Sequence, residues 1–403
     1  MMKRFVLIVL IPLALLVLQH LPIKITKASP RSVSLAEARH AAILIVNHLG
    51  KGSYTEFDQA TIDDDATPFY YSTGDTSAYV FRVRTSDQIR GYIAIGATKD
   101  DEPFLEASRA MPPQDRLEAA RAQILAKYPS NVILGTPRLL YPNALSFIAE
   151  FPVFQDGQLL ATEYFHLRQG RLITKNQVPP DFTVTNTEHG RKVWKAMLST
   201  KNLVYKEQSS SVISPMVFIS RDISGVPSYS QYYSTWWDSA CGPTVASEMA
   251  EFWRQHGYPG IRGLAYYGDV GAFIDHMYLH MSTWTGTTVA NFVSGLSNHL
   301  AETGVVGYTI SSTLVPNTTW AEYHGQIYNG SPVGIRIEYT PWENTGDGNY
   351  EYHWVVGYGY EYDDNLGWHG MHIYNSWSND PTQAADVLDY DRYQSYLNFV
   401  KFH

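Results

Sequence analysis

The stretch TWWDSACGPTVASEMAEFW, Thr235 to Trp253, holds Cys241, the only cysteine among 403 residues. Val245, Met249, Phe252 and Trp253 recur at the spacing of one helix face. Pro243 suits a first turn, where its missing N–H has no intrahelical partner to lose. Gly257 supplies a stop. The spacing predicts a helix over 242–256, with Cys241 at or just before its N-terminus. Unpaired amides and the helix dipole favour negative charge there. A thiol in that place is expected to have a lowered pKa and an enriched thiolate, which is the nucleophilic form. One cysteine cannot close an intramolecular disulfide, so Cys241 is either an inert core thiol or a reactive one.

A thiolate nucleophile needs an imidazole, and the imidazole needs a group that orients it. Among 14 histidines, His353 opens HWVVGYGY, an apolar strand-like run that would hold the ring rigidly. Asn375 follows in YNSWS, on a second strand beyond the turn DDNLG. Adjacent strands would bring Asn375 beside His353, where its amide oxygen could accept from the ring. The bland readings are a satisfied core histidine, a turn asparagine and a buried thiol. Asp363 and Asp364 are alternative orienters, but EYDDNLG reads as a solvated turn.

CGPT opening a helix, a strand beginning HWVVGYG, and NSW together resemble the papain-like cysteine peptidase superfamily. The nearest flavour is its bacterial branches, the bacteriocin-leader-processing type and the streptopain type. The resemblance covers roughly residues 222 to 403. It implies a Cys241–His353–Asn375 triad, with Trp377 covering the His–Asn pair. It also implies that Gln231 assists the Cys241 backbone N–H in binding the oxyanion. Gln231 stands ten residues before Cys241, farther than in those families, so YYSTWWDSA reads as an insertion. Asn375 stands where the processing type carries Asp. Streptopain-like enzymes also carry an occluding N-terminal propeptide, and YVFRVRTSDQIRGYIAIGATKDDEPFLEAS is similar in style to its strands.

The rest of the chain fits such an architecture. Hydrophobic residues are 44% and charged residues 17%, enough apolar material for a packed core. The net charge of −9 argues against nucleic acid as the main partner. Lys3 and Arg4 precede the apolar run Phe5–Leu18, with small residues near Ala28, the pattern of a secretory signal peptide; an uncleaved anchor is the alternative. Ser34 and Glu37 form a capping box before a helix. Strand-like runs SAYVFRVR, GYIAIG and PFLEAS follow, then a helix in PQDRLEAARAQILAKYP, then LSFIAEFPVF, LLATEYFHL and RLITK. Residues 181–221 turn polar and Pro-punctuated, with a short helix near RKVWKAMLS and a nicking site at KEQSSS. Helical patterns at 242–256 and 287–302 precede the alternating segments SPVGIRIEYT, HWVVGYGYEY and MHIYNSWS.

The expected fold class is therefore α+β: a papain-like domain, helices and antiparallel sheet with a cleft between, preceded by an α+β pro- or regulatory domain. The boundaries are 1–29 for the signal, 30–180 for the N-terminal domain, 181–221 for a linker and 222–403 for the peptidase domain. The expected function is an exported cysteine peptidase, secreted or at the cell surface, made as a zymogen. Its partners are a peptide or protein substrate and the N-terminal domain as intramolecular inhibitor. The alternatives are a transglutaminase-like acyl transferase and a non-catalytic binding module. The chemistry calls for no metal and no organic cofactor. His276 and His280 in HMYLH lie one helical turn apart, but no third ligand stands out, so they read as surface or packing.

Overall fold

The computed structural model describes residues 32–199, 218–284, 286–339 and 352–403. The apolar N-terminal run and the KEQSSS nicking site lie outside the described residues. The described residues form one compact unit of mixed α and β structure. No helix among the described residues is long and apolar enough to cross a membrane.

In the N-terminal half the helix Leu35–Lys51 begins at the capping box: Ser34 Oγ accepts from Glu37 N, and Glu37 Oε2 accepts from Ser34 N at 2.9 Å. Its apolar face, including Ala38, Ala41, Ile45 and Leu49, is buried against the strands Thr76–Thr85 and Gln88–Gly96. These strands pair antiparallel, and Gln88–Gly96 pairs in turn with Phe104–Ser108. A second antiparallel pair, Ile148–Gln155 with Gln158–His166, turns through Asp156-Gly157, both at positive φ. The helix near RKVWKAMLS spans Thr187–Ser199 and packs into the N-terminal core, where buried Trp194 donates its Nε1–H to the Asp101 carbonyl.

In the C-terminal half three helices, Cys241–Gln255, Val270–His280 and Val289–Glu302, pack on one another. The antiparallel sheet beside them runs Leu397–Phe402, Val333–Glu338, Tyr352–Asp363, Trp368–Tyr374, Ala385–Asp389. The Cys241 helix lies against the Tyr352–Asp363 strand. Trp354 joins the layers: its ring stacks on Phe292 with centroids 4.4 Å apart, and its Nε1–H donates to the Thr287 carbonyl.

The two halves share one sheet. The strand Ala385–Asp389 pairs antiparallel with Phe104–Ser108, in the register Asp386↔Ser108 and Leu388↔Glu106. Side chains reinforce this seam. Arg392 pairs with Asp101 at 2.8 Å, both almost fully buried, and the Tyr141 and Tyr393 hydroxyls meet at 3.1 Å. The helices and strands expected from periodicity fall close to their observed bounds. The Val270–His280 helix contains the HMYLH turn, and a further helix, Trp320–Tyr328, belongs to the C-terminal half.

Candidate active site

Cys241 is the first residue of its helix, and every residue from Cys241 to Phe252 is buried. The helix start is seated tightly. A Cβ on Gly242 would come within 2.4 Å of Thr287 Oγ1, so no larger residue fits without displacing Thr287. The main-chain N–H groups of Trp354 and Gly242, with the Arg336 charge, draw the thiol pKa down, but burial is the largest influence and holds it above the ordinary value. The lowered thiol pKa expected at a helix start is thus reversed, because desolvation penalises the thiolate more than the helix end rewards it.

His353 sits opposite Ile337 in the sheet, and Trp354, whose N–H faces the sulfur, is the next residue along its strand. The β-strand therefore carries the His353 backbone past the thiol. The ring lies within 2.8 Å of the Asn375 main-chain carbonyl through Nε2. A carbonyl only accepts, so Nε2 carries the proton and Nδ1 is left with its lone pair. Trp377 stacks on the ring with centroids 4.8 Å apart. Burial pushes the imidazole pKa down to about 4, against a smaller upward pull from the Asn375 carbonyl. With the thiol raised and the ring lowered, each group rests neutral at pH 7; the main chain of Trp354 meets the sulfur, whereas the His353 ring meets Asn375 and Trp377.

Asn375 stands beside His353, with its carbonyl rather than its amide oxygen on the ring. Its Nδ2–H donates to Asp386 Oδ2 at 2.7 Å, and its Oδ1 accepts from Trp377 N at 3.0 Å. Ser376, between them, has φ 61°, a conformation uncommon for a residue with a Cβ. That backbone turn sets Trp377 over His353 and leaves the Ser376 carbonyl to accept from Gln231 N at 2.9 Å. Gln231 is thereby tied to the same strand end. It is 2% exposed; its Nε2–H donates to the Trp237 carbonyl at 2.6 Å, while its Oε1 has no partner. The long interval between Gln231 and Cys241 is accounted for by the Val270–His280 helix. Asp275 accepts from the Ser234 and Thr235 hydroxyls, and Tyr278 stacks on Trp236 with centroids 4.6 Å apart.

The candidate residues are buried: Cys241 is 8% exposed, and His353 and Asn375 are 1% exposed each. The segment His166–Arg171 of the N-terminal half packs beside it. His166 meets the Trp377 ring edge-on at 5.4 Å, and the Arg171 guanidinium lies 5.0 Å from the Trp237 ring. Arg168 reaches Asp386 at 2.9 Å in a fully buried ion pair, so Asp386 links Arg168 to Asn375. Asp386 and Arg168 are site residues that no sequence motif marks. An acid in the apolar run AADVLDY and an arginine in YFHLRQG were the signals available, since such groups are rarely buried unless paired.

The ring's own titration tests this geometry. A histidine whose folded pKa is lowered from 6.5 to about 4 adds stability that is present above pH 6.5 and lost as pH falls through 4. Glu106 works the other way: burial raises its pKa to about 7, so its contribution is present below pH 4.5 and lost as pH rises through 7. The two offset each other in a melting curve, and His353 must be read directly. In the intact chain its imidazole NMR signals are expected to stay neutral until about pH 4. Titration near 6.5 would show the ring to be solvated.

Residues 223–402 match the family model described as Peptidase_C39 like family. No curated protein matches the chain. The matched segment contains Cys241, Gln231, His353 and Asn375 and begins after the Phe218–Asp222 strand, and the match relates this half of the chain to the papain-like cysteine peptidases.

Proposed function

We propose that the chain is a cysteine peptidase held latent by its own N-terminal half and exported by the segment 1–29. One observation carries the catalytic reading: the Cys241 sulfur, at a helix start, faces the main chain of the strand that bears His353. The carbonyl of Asn375 meanwhile sets that ring's tautomer. Nδ1 is then the base. It takes the thiol proton as sulfur attacks a peptide carbonyl, and the electron pair moves to the carbonyl oxygen. The Cys241 backbone N–H and Gln231 Nε2–H, once released from Trp237, stabilise that oxyanion. Collapse breaks the C–N bond, and the imidazolium gives its proton to the departing amine. Water, deprotonated by His353, then cleaves the thioester and frees the thiol.

Latency is supported by the burial of Cys241, Gln231, His353 and Asn375 and by the neutral resting states of the thiol and the imidazole. A neutral thiol is a poor nucleophile, and uncovering the site removes the desolvation that keeps it neutral. The reading is tested with a peptidyl epoxide on full-length protein before and after limited proteolysis. After proteolysis, peptide hydrolysis should appear and mass mapping should find the adduct on Cys241. Hydrolysis that persists with Cys241 unmodified overturns the assignment.

A further inference from the structure

The Val270–His280 and Val289–Glu302 helices bring together, at their last turns, His276, His280, His299 and Glu302. His276 and His280 are separated by four residues and His299 and Glu302 by three, so each pair lies on one face of its helix. The third ligand that the sequence did not reveal comes from the neighbouring helix. His276 Nε2 lies 3.4 Å from Glu302 Oε2, and His280 Nε2 lies 3.0 Å from Glu302 Oε1. The donor atoms of His276, His299 and Glu302 all fall within 4.8 Å of one another. His299 is fully buried, and neither of its ring nitrogens makes a hydrogen bond. The Arg262 main chain comes near the ring without reaching hydrogen-bond geometry. A fully buried imidazole with both nitrogens unsatisfied is costly unless a further group takes up its lone pair.

We propose that these four side chains form a binding site for a divalent metal ion of the zinc class. Three imidazoles and one carboxylate are a borderline nitrogen–oxygen set that suits zinc and its first-row neighbours rather than calcium or magnesium. Donors about 2.0–2.1 Å from a tetrahedral ion stand roughly 3.4 Å apart, so closure of His276, His299 and Glu302 from the observed spacing needs movements on the order of 1 Å, and His280, now on Glu302, must turn inward to join them as the fourth donor. Both helices end at the cluster, and their C-terminal dipoles favour a cation there. Glu302, the most exposed of the four at 38%, leaves an approach from solvent. The Arg262 guanidinium lies 3.9 Å from Glu302 and would have to withdraw over Tyr266, on whose ring it already rests. The site is distinct from the thiol and independent of its chemistry. The same Val270–His280 helix holds the Gln231–Ala240 loop through Asp275 and Tyr278, so an ion at its end would stiffen that loop.

The test is zinc titration of full-length protein stripped with a chelator, against a competing chromophoric indicator, with cobalt(II) absorption as a second readout. One equivalent should bind to the wild type and equally to Cys241→Ala, and the melting temperature should rise with zinc. His280→Ala and Glu302→Ala, both at partly exposed positions, should weaken binding by about 100-fold or more, since even loss of outer-shell partners costs 10–100-fold. His299→Ala should remove it if that variant folds. Equal affinity in wild type, His280→Ala and Glu302→Ala, or loss of zinc with Cys241→Ala alone, would overturn the site. Failure of the wild type to bind zinc at about 100 μM would do the same.

Discussion

Replacing Arg168 with methionine is expected to speed alkylation of Cys241 by iodoacetamide by about 100-fold in the intact chain. Arg168 and Asp386 are both buried, and they meet across the seam between the halves at 2.9 Å. Removing one partner of a buried pair leaves the other charge uncompensated, at a cost of about 3–5 kcal/mol. The carboxylate recovers that cost when the seam opens and water reaches it. The penalty therefore falls on the closed state, and about 3 kcal/mol corresponds to roughly a 100-fold rise in the open population. Desolvation is the main influence raising the thiol pKa, so an opening that brings water to Cys241 also restores thiolate. The double variant Arg168→Met with Asp386→Asn should return most of the protection. An amide carries no charge to strand, and it can still accept from Asn375 Nδ2, which now donates to Asp386. Unchanged alkylation in Arg168→Met, with a lower melting temperature, would mean that the pair stabilises the fold without gating the thiol.

Cys241→Ala is expected to reduce peptide hydrolysis by about 10³-fold or more after proteolytic activation, with the fold preserved. Loss of a nucleophile removes the whole covalent route, and the residual rate comes only from binding and oxyanion stabilisation. The stability cost is small by comparison, because alanine keeps the helix start and removes only one buried sulfur, about 1 kcal/mol. The backbone N–H groups of Trp354 and Gly242 that face the sulfur lose a weak acceptor and no strong one. Activity equal to wild type in a chain whose melting temperature is unchanged would exclude the thiol from the reaction.

Much of the scaffold was legible in the residues themselves. Ser34 with Glu37, Asp156-Gly157, and the apolar spacing from Val245 to Trp253 are local signals, so helix and strand positions followed from them. The candidate site was legible as residue types in an order: a lone thiol at a helix start, then a strand-borne histidine, then an asparagine. Which atom of Asn375 meets the ring was not legible. The answer depends on Asp386 taking the amide and on the Ser376 backbone at φ 61°, both outcomes of packing. The cluster around His299 was half legible, because one helix shows its pair while the other pair lies nineteen or more residues away on a second helix.

By itself the sequence determined the helix that begins at Cys241, the strand that begins near His353 and the mixture of helices and antiparallel strands. Periodicity, caps and turns act over a few residues and are written in them. Only the tertiary structure decided that the thiol rests protonated, that the ring rests neutral, and that Arg168 reaches Asp386 from 218 residues away. Desolvation belongs to the surroundings of a group rather than to the group. Those surroundings exist only once distant segments have closed over it.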